Sequence, residues 1–190
     1  SVSGCAISML ANRVSFHLGL RGPSQAMSTE CGSSLVALHD ANAAIMKGEC
    51  DAAIVGGSNI LLVPGITQGF HRLGMLAPDG KCRSFDSKGS GYVRSESVAA
   101  VLVVSEAMYK TLNVSGGYSR ILGSAVEHGG YYSKGLLQPQ VSTQRHLYEK
   151  VYGENGVDKN SLVYIETHGT GTPVGDHVEI EAIDDFFFSG

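Results

Sequence analysis

The stretch Met27-Ser28-Thr29-Glu30-Cys31-Gly32-Ser33-Ser34-Leu35-Val36-Ala37-Leu38 places one cysteine where an extended segment gives way to a helix. Pro23 and short polar residues precede it. Good helix formers follow, with small or apolar residues at 35, 37, 38, 41, 44 and 45, and Gly48 after Lys47 supplies a stop. The pattern predicts strand, sharp turn and helix, with Cys31 at the corner. A thiol there meets the unpaired N–H groups and partial positive charge of a helix start, which favour the nucleophilic thiolate. The same N–H groups suit an oxyanion on an attacked acyl carbonyl. The plainer reading is a small core cysteine, the usual fate of a free thiol, and this stretch alone leans that way.

Upstream, apolar positions at 7, 9, 10, 14, 16 and 18 predict a helix over 4–18, broken at Leu18-Gly19-Leu20-Arg21-Gly22-Pro23. Ser24–Thr29 reads as a short strand leading to Cys31. Downstream, the small apolar run Asp51–Asn59 reads as a central strand covered on both faces. Strand, helix and strand in succession suggest a βαβ crossover and an α/β layer architecture. A short helix is expected from Pro64 to about Leu73. Leu76–Arg94 is a long loop, rich in turn signals and of a length that is usually functional.

Val98–Val104 is a strand of seven apolar residues, with Ser119–Val126 read as its antiparallel neighbour. Ser105 caps a short helix running to Leu112. Glu127–Gln140 is a polar loop, Val141–Gly153 an amphipathic helix, and Leu162–Glu166 a strand. A last helix is expected near His177.

The chain has 190 residues, 43% hydrophobic and 17% charged, which fits one globular domain or part of one. A net charge of −4 without long single-sign runs argues against nucleic acid as a partner. No apolar run reaches the ~20 residues of a membrane span, and no signal peptide is visible. Cys5, Cys31, Cys50 and Cys82 show no paired spacing, so a disulfide framework and a zinc site are disfavoured and a reducing, cytoplasmic compartment is expected. Both ends look cut, and Phe186-Phe187-Phe188 is an aromatic cluster that sequence outside the chain would cover.

The second notable stretch is Glu166-Thr167-His168-Gly169-Thr170-Gly171-Thr172. It puts a histidine beyond a buried strand, where open α/β sheets place their sites, in a loop rich in glycine. Taken alone, His168 reads better as a capping or core histidine. The spacing G-x-G-x-x-x-G departs from the dinucleotide fingerprint, and no Gly-Lys-Ser/Thr is present, so nucleotide binding is a minor alternative.

Together these stretches resemble the β-ketoacyl synthases. Thr29-Glu30-Cys31-Gly32-Ser33-Ser34-Leu35 is similar to the family's Thr-Ala-Cys-Ser-Ser-Ser-Leu, and the His168 stretch to its Glu-Ala-His-Gly-Thr-Gly-Thr. Ala11–Ser15, Arg21–Ser24, Gly56–Asn59, Arg72–Gly80 and Arg83–Asp86 match in order, so the resemblance covers nearly the whole chain. Gly89–Glu96 is closer to the animal fatty acid synthase type than to bacterial modular polyketide synthases.

The resemblance implies a thiolase-like α/β/α/β/α sandwich, incomplete here: the N-terminal half plus the start of the C-terminal half. Residues 1–190 would be a partial ketosynthase domain, truncated at both ends and inactive alone. It implies a condensing acyltransferase of fatty acid or polyketide synthesis. Cys31 would carry the acyl chain, and a malonyl-type thioester on an acyl carrier protein would lose CO₂ and attack it. His168 would stabilise the enolate, Thr170 and Thr172 would touch the phosphopantetheine arm, and the Cys31 N–H would be half of an oxyanion hole. No cofactor or metal is implied beyond that arm. The partners implied are the carrier protein, other domains of a parent synthase and a second copy in a homodimer.

Several positions depart from the family pattern. The second family histidine and the Gly-Phe-Gly segment have their places beyond Gly190. Glu30 replaces an alanine, and a carboxylate beside the thiol disfavours the thiolate. Gly32 replaces a serine and loosens the first turn. Ser95 and Ser97 flank Glu96 where many relatives have glycines. Both changes at the corner motivate an alternative, a silent ketosynthase-like platform for dimerisation and carrier docking. A thiolase or a cysteine hydrolase using the same corner is a remoter option.

Asp86, Arg94 and Glu96 are expected to form an ion network under the site loop. His128 and Gly129-Gly130 would border the acyl tunnel. His17, His39, His71, His146 and His177 lack metal-ligand spacing and read as surface or helix-face residues. Cys5, Cys50 and Cys82 read as packing or surface thiols, and Met27 and Met75 as core in preference to tunnel wall.

Overall fold

In the computed structural model, residues 2–113 and 115–189 are described. They divide into two compact units: Ser1–Asn59 with Ser97–Arg120, and Ile60–Glu96 with Ile121–Gly190.

The first unit holds α1 (Val2–Cys5), α2 (Met9–Leu18), α3 (Ser33–Met46), β1 (Ala52–Asn59), β2 (Ser97–Val104) and, last in this unit, a short helix over Glu106–Leu112. The single helix expected over 4–18 is thus two. The second ends as expected: Gly19 adopts the left-handed conformation at φ 64° and Leu20 N–H returns to the Ser15 carbonyl at 2.8 Å. β1 and β2 are antiparallel, with Val55 opposite Val101. Val55 is the buried anchor of the pair at 7% exposure. Helix α3 packs on β1, and a Cβ built on Gly57 would stand 3.1 Å from the Ser34 Cβ. Gly57 therefore permits a close approach that a residue with a Cβ would crowd.

Several strand expectations fail for one reason. Ser24–Thr29, Ser119–Val126 and Leu162–Glu166 form no ladder, so among the described residues there is no βαβ crossover, and the partner of β2 is β1 rather than 119–126. Apolar patterning marks a segment as extended, but a strand also needs a neighbour whose backbone pairs with it. Nor is β1 covered on both faces: Ile54 is 46% exposed, as are Val98 at 73% and Leu102 at 65% across the pair.

The second unit holds α4 (Pro64–Arg72), which takes its place before β2 in chain order, and then α6 (Val141–Glu154) and α7 (Pro173–Ile183), the Glu106–Leu112 helix of the first unit being α5. In α5 the Ser105 hydroxyl accepts the Met108 N–H at 3.1 Å, as the sequence predicts. Helix α7 starts four residues before His177, because Pro173 occupies the first helical position, where its missing N–H costs nothing. It runs into a π-helical turn over Asp184–Phe188.

Two of the three terminal aromatics are partly covered from within the chain, while Phe188 stays 71% exposed. Phe186 and Phe187 pack against Tyr148 and Tyr152 of α6, with ring centroids 5.2–5.7 Å apart. Lys159 sits over the Phe186 ring at 5.6 Å and donates to the Phe186 carbonyl. Ala182 and Ile183 are buried at 0% and 6% exposure.

The 127–140 loop is tied to α6 at its base. Glu127 meets His146 Nδ1 at 2.7 Å and Lys150 Nζ at 3.3 Å, two side chains one helical turn apart. The His146 hydrogen bond, aided by Lys150, holds the Glu127 carboxyl below the usual glutamate range. A carboxylate depressed in the folded state contributes stability at neutral pH and loses it as pH falls through the depressed value. Glu127→Gln should therefore be less stable than wild type to urea at pH 7. The gap between the two urea midpoints should close as pH drops below the ordinary glutamate value of about 4.3.

Candidate active site

Cys31 lies in the first unit, and His168, Thr170 and Thr172 lie together in one loop of the second. Cys31 occupies a single 3-10 turn, Glu30–Gly32, that leads directly into α3 with Gly32 as the N-cap. Its side chain is exposed, so the thiol is not inert core. The corner is tight because Glu30 adopts φ 53°, the left-handed region, at a cost of about 1 kcal/mol for a residue with a side chain. Ser33 holds the turn closed: its hydroxyl accepts the Thr29 N–H at 2.9 Å and donates to the Glu30 carbonyl at 2.7 Å. The thiol thus sits one residue before the cap of a helix of 14 residues.

The His168 loop has no ladder of its own. Gly169 and Gly171 take φ 51° and 76°, conformations that residues with a Cβ rarely adopt. Helix α7 satisfies its backbone instead. Glu179 accepts the His168 and Gly169 N–H groups at 2.6 and 2.8 Å. Asp176, 9% exposed, accepts the Gly171 N–H at 3.0 Å with one oxygen and the Phe85 N–H at 2.6 Å with the other. The Thr170 and Thr172 hydroxyls lie 3.0 Å apart and share a hydrogen bond. His168 is exposed, so its ring is available to a substrate.

The chain matches two family descriptions: "Beta-ketoacyl synthase, N-terminal domain" over residues 1–107 and "Beta-ketoacyl synthase, C-terminal domain" over 118–190. The chain belongs to the β-ketoacyl synthase family. This ketosynthase chain is 42% identical over 187 residues to a fatty acid synthase of Anser anser anser, covering 98% of the chain and 52% of the relative. It is 44% identical over 185 residues to a highly reducing polyketide synthase of Didymella fabae, covering 96% of the chain and 10% of the relative. The chain therefore spans about half the length of the first relative and a tenth of the second. Among solved structures, the ketosynthase from module 6 of the bacillaene synthase of Bacillus subtilis 168 superposes with a TM-score of 0.94 at 33% identity, covering 99% of this chain and 34% of that one. The fold is thiolase-like, represented here in part.

Asp176 and Glu179 were missed as site residues by sequence reasoning. Their signal was available: two carboxylates three residues apart in the helix that follows a glycine-rich loop can both face its amides. The ion network expected of Asp86, Arg94 and Glu96 does not form, because each group has a different partner. Asp86 accepts the Lys88 N–H at 2.7 Å, Arg94 stacks on the Phe70 ring at 4.7 Å, and Glu96 accepts the Leu61 N–H at 2.6 Å. His128 Nδ1 accepts the Gly130 N–H at 2.9 Å, a local turn contact. Cys82 is exposed and accepts the Val93 N–H, Cys5 is exposed, and Cys50, Met27 and Met75 are half-buried.

Glu179→Gln leaves one of the two loop amides without its acceptor. Hydrogen exchange at His168 and Gly169 should quicken by roughly 10-fold or more, the scale of a hydrogen bond to a charged group, while exchange within α3 stays unchanged.

Proposed function

We propose that this chain is part of a condensing ketosynthase domain within a longer synthase, and that it forms C–C bonds by decarboxylative Claisen condensation. The observation that carries the reading is the exposed Cys31 thiol in a strained turn at the start of α3. Two residues would touch the reacting groups and two would hold the arm that carries them. The Cys31 sulfur attacks the carbonyl of an acyl thioester, the carrier thiol leaves, and the acyl chain stays on the cysteine. A malonyl-type thioester then loses CO₂. His168 donates a hydrogen bond to its thioester carbonyl and stabilises the resulting enolate. The enolate carbon attacks the acyl–cysteine carbonyl, and the Cys31 sulfur departs as thiolate. Thr170 and Thr172 hold the amides of the phosphopantetheine arm on which an acyl carrier protein presents the substrate.

The identity to a fatty acid synthase and a polyketide synthase supports this substrate class. Partners on this reading are the carrier protein, the other domains of a multifunctional cytoplasmic synthase, and a second copy of the domain. Among the described residues, no helix is long and apolar enough to cross a membrane.

Two variants of the full-length protein test the assignment. Cys31→Ala should abolish covalent labelling by an acyl thioester. His168→Ala should keep that labelling but release CO₂ from a malonyl thioester at least ~100-fold more slowly, the scale of losing an oxyanion donor. Full labelling of Cys31→Ala would remove Cys31 from its role. Slow, ordinary alkylation of Cys31 by iodoacetamide in the wild type would point to a docking platform instead.

A further inference from the structure

The residues that bear function in the His168 loop, 168, 170 and 172, alternate with two glycines whose backbone is held from elsewhere. Part of that hold comes from α7. The rest comes from a segment far earlier in the chain, inside the long 76–94 loop. The Ser84 hydroxyl donates to the Gly169 carbonyl. The Phe85 N–H reaches Asp176, the carboxylate that also holds Gly171. The Gly91 N–H donates to the Gly171 carbonyl at 3.0 Å.

The fit is close as well as polar. A Cβ added to Gly171 would stand 3.0 Å from the Arg83 nitrogen, and one added to Gly169 would stand 3.4 Å from the Phe85 ring edge. Phe85 itself is in the left-handed region at φ 60°, a strained state for an aromatic residue. That conformation coincides with the delivery of its N–H to Asp176.

We propose that Ser84 and Phe85 are positioning residues for His168, and that the 83–91 segment is a cradle for the histidine loop rather than a lid over the site. The proposal rests on the condensing function above. Ser84 and Phe85 touch no reacting atom. They act through Gly169 and Asp176, fixing the peptide planes on either side of Thr170 and so the direction of the His168 ring. A hydrogen bond to a developing enolate loses its effect with displacements on the order of 1 Å. The cradle should therefore matter for decarboxylation, which depends on His168, and not for acylation, which depends on Cys31.

The test compares two rates in the full-length protein: CO₂ release from a malonyl thioester, and acyl transfer to Cys31 from an acyl thioester. Ser84 is exposed, so Ser84→Ala removes a hydroxyl without opening a core. It should lower the ratio of decarboxylation to acylation by about 5- to 10-fold, the scale of one neutral hydrogen bond, and Ser84→Thr should restore most of it. Asp176→Asn should lower the same ratio further, because one of two amides would face an NH₂ group. If Asp176→Asn fails to fold, the two Ser84 variants decide the matter. An unchanged ratio in Ser84→Ala overturns the cradle while leaving the function intact. Wild-type protein that takes up the acyl group but releases no CO₂ overturns both.

Discussion

The carboxylate of Asp176 is the point on which the second unit turns. The His168 loop forms no ladder of its own, and unpaired groups shielded from water cost about 1–3 kcal/mol each. Asp176 takes one N–H from the histidine loop and one from the segment at Phe85, and it is itself almost fully buried. Glu179, three residues further along α7, takes two more N–H groups. Four amides from two separate loops thus converge on the first turns of a single helix. Much of the loop's position is set by the helix rather than by the loop itself.

The Cys31 corner reaches a similar end by other means. Its backbone is bent by a strained residue and closed by a short-range hydroxyl bridge, all within Thr29–Ser33. No distant carboxylate takes part. A corner of this kind needs only local sequence to form, whereas the His168 loop needs partners from residues 84, 85, 91, 176 and 179.

That difference explains what could be read from the sequence. The helix after Cys31, the Ser105 cap and the Gly19 stop follow from local preferences, and the structure has them. The candidate site residues Cys31, His168, Thr170 and Thr172 come from two short motifs that can be read without the fold. Asp176, Glu179, Ser84 and Phe85 do not, since their role depends on which backbone groups they meet. The strand errors have the same origin: Ser24–Thr29 and Leu162–Glu166 have the right side chains for strands, but pairing is a property of neighbours. The expected Asp86–Arg94–Glu96 network failed because charge alone does not choose a partner. A backbone amide and an aromatic face competed successfully.

The contact between Gly57 and Ser34 carries a consequence for how this corner can change over time. Ser34 stands three positions after the cysteine, and its Cβ already lies at the limit of approach to β1. A Cβ gained at 57 would stand 3.1 Å from that of Ser34, so the helix start would have to give by a few tenths of an ångström. Positions 57 and 34 are thus coupled through space, so growth at 57 bears directly on the helix start beside Cys31.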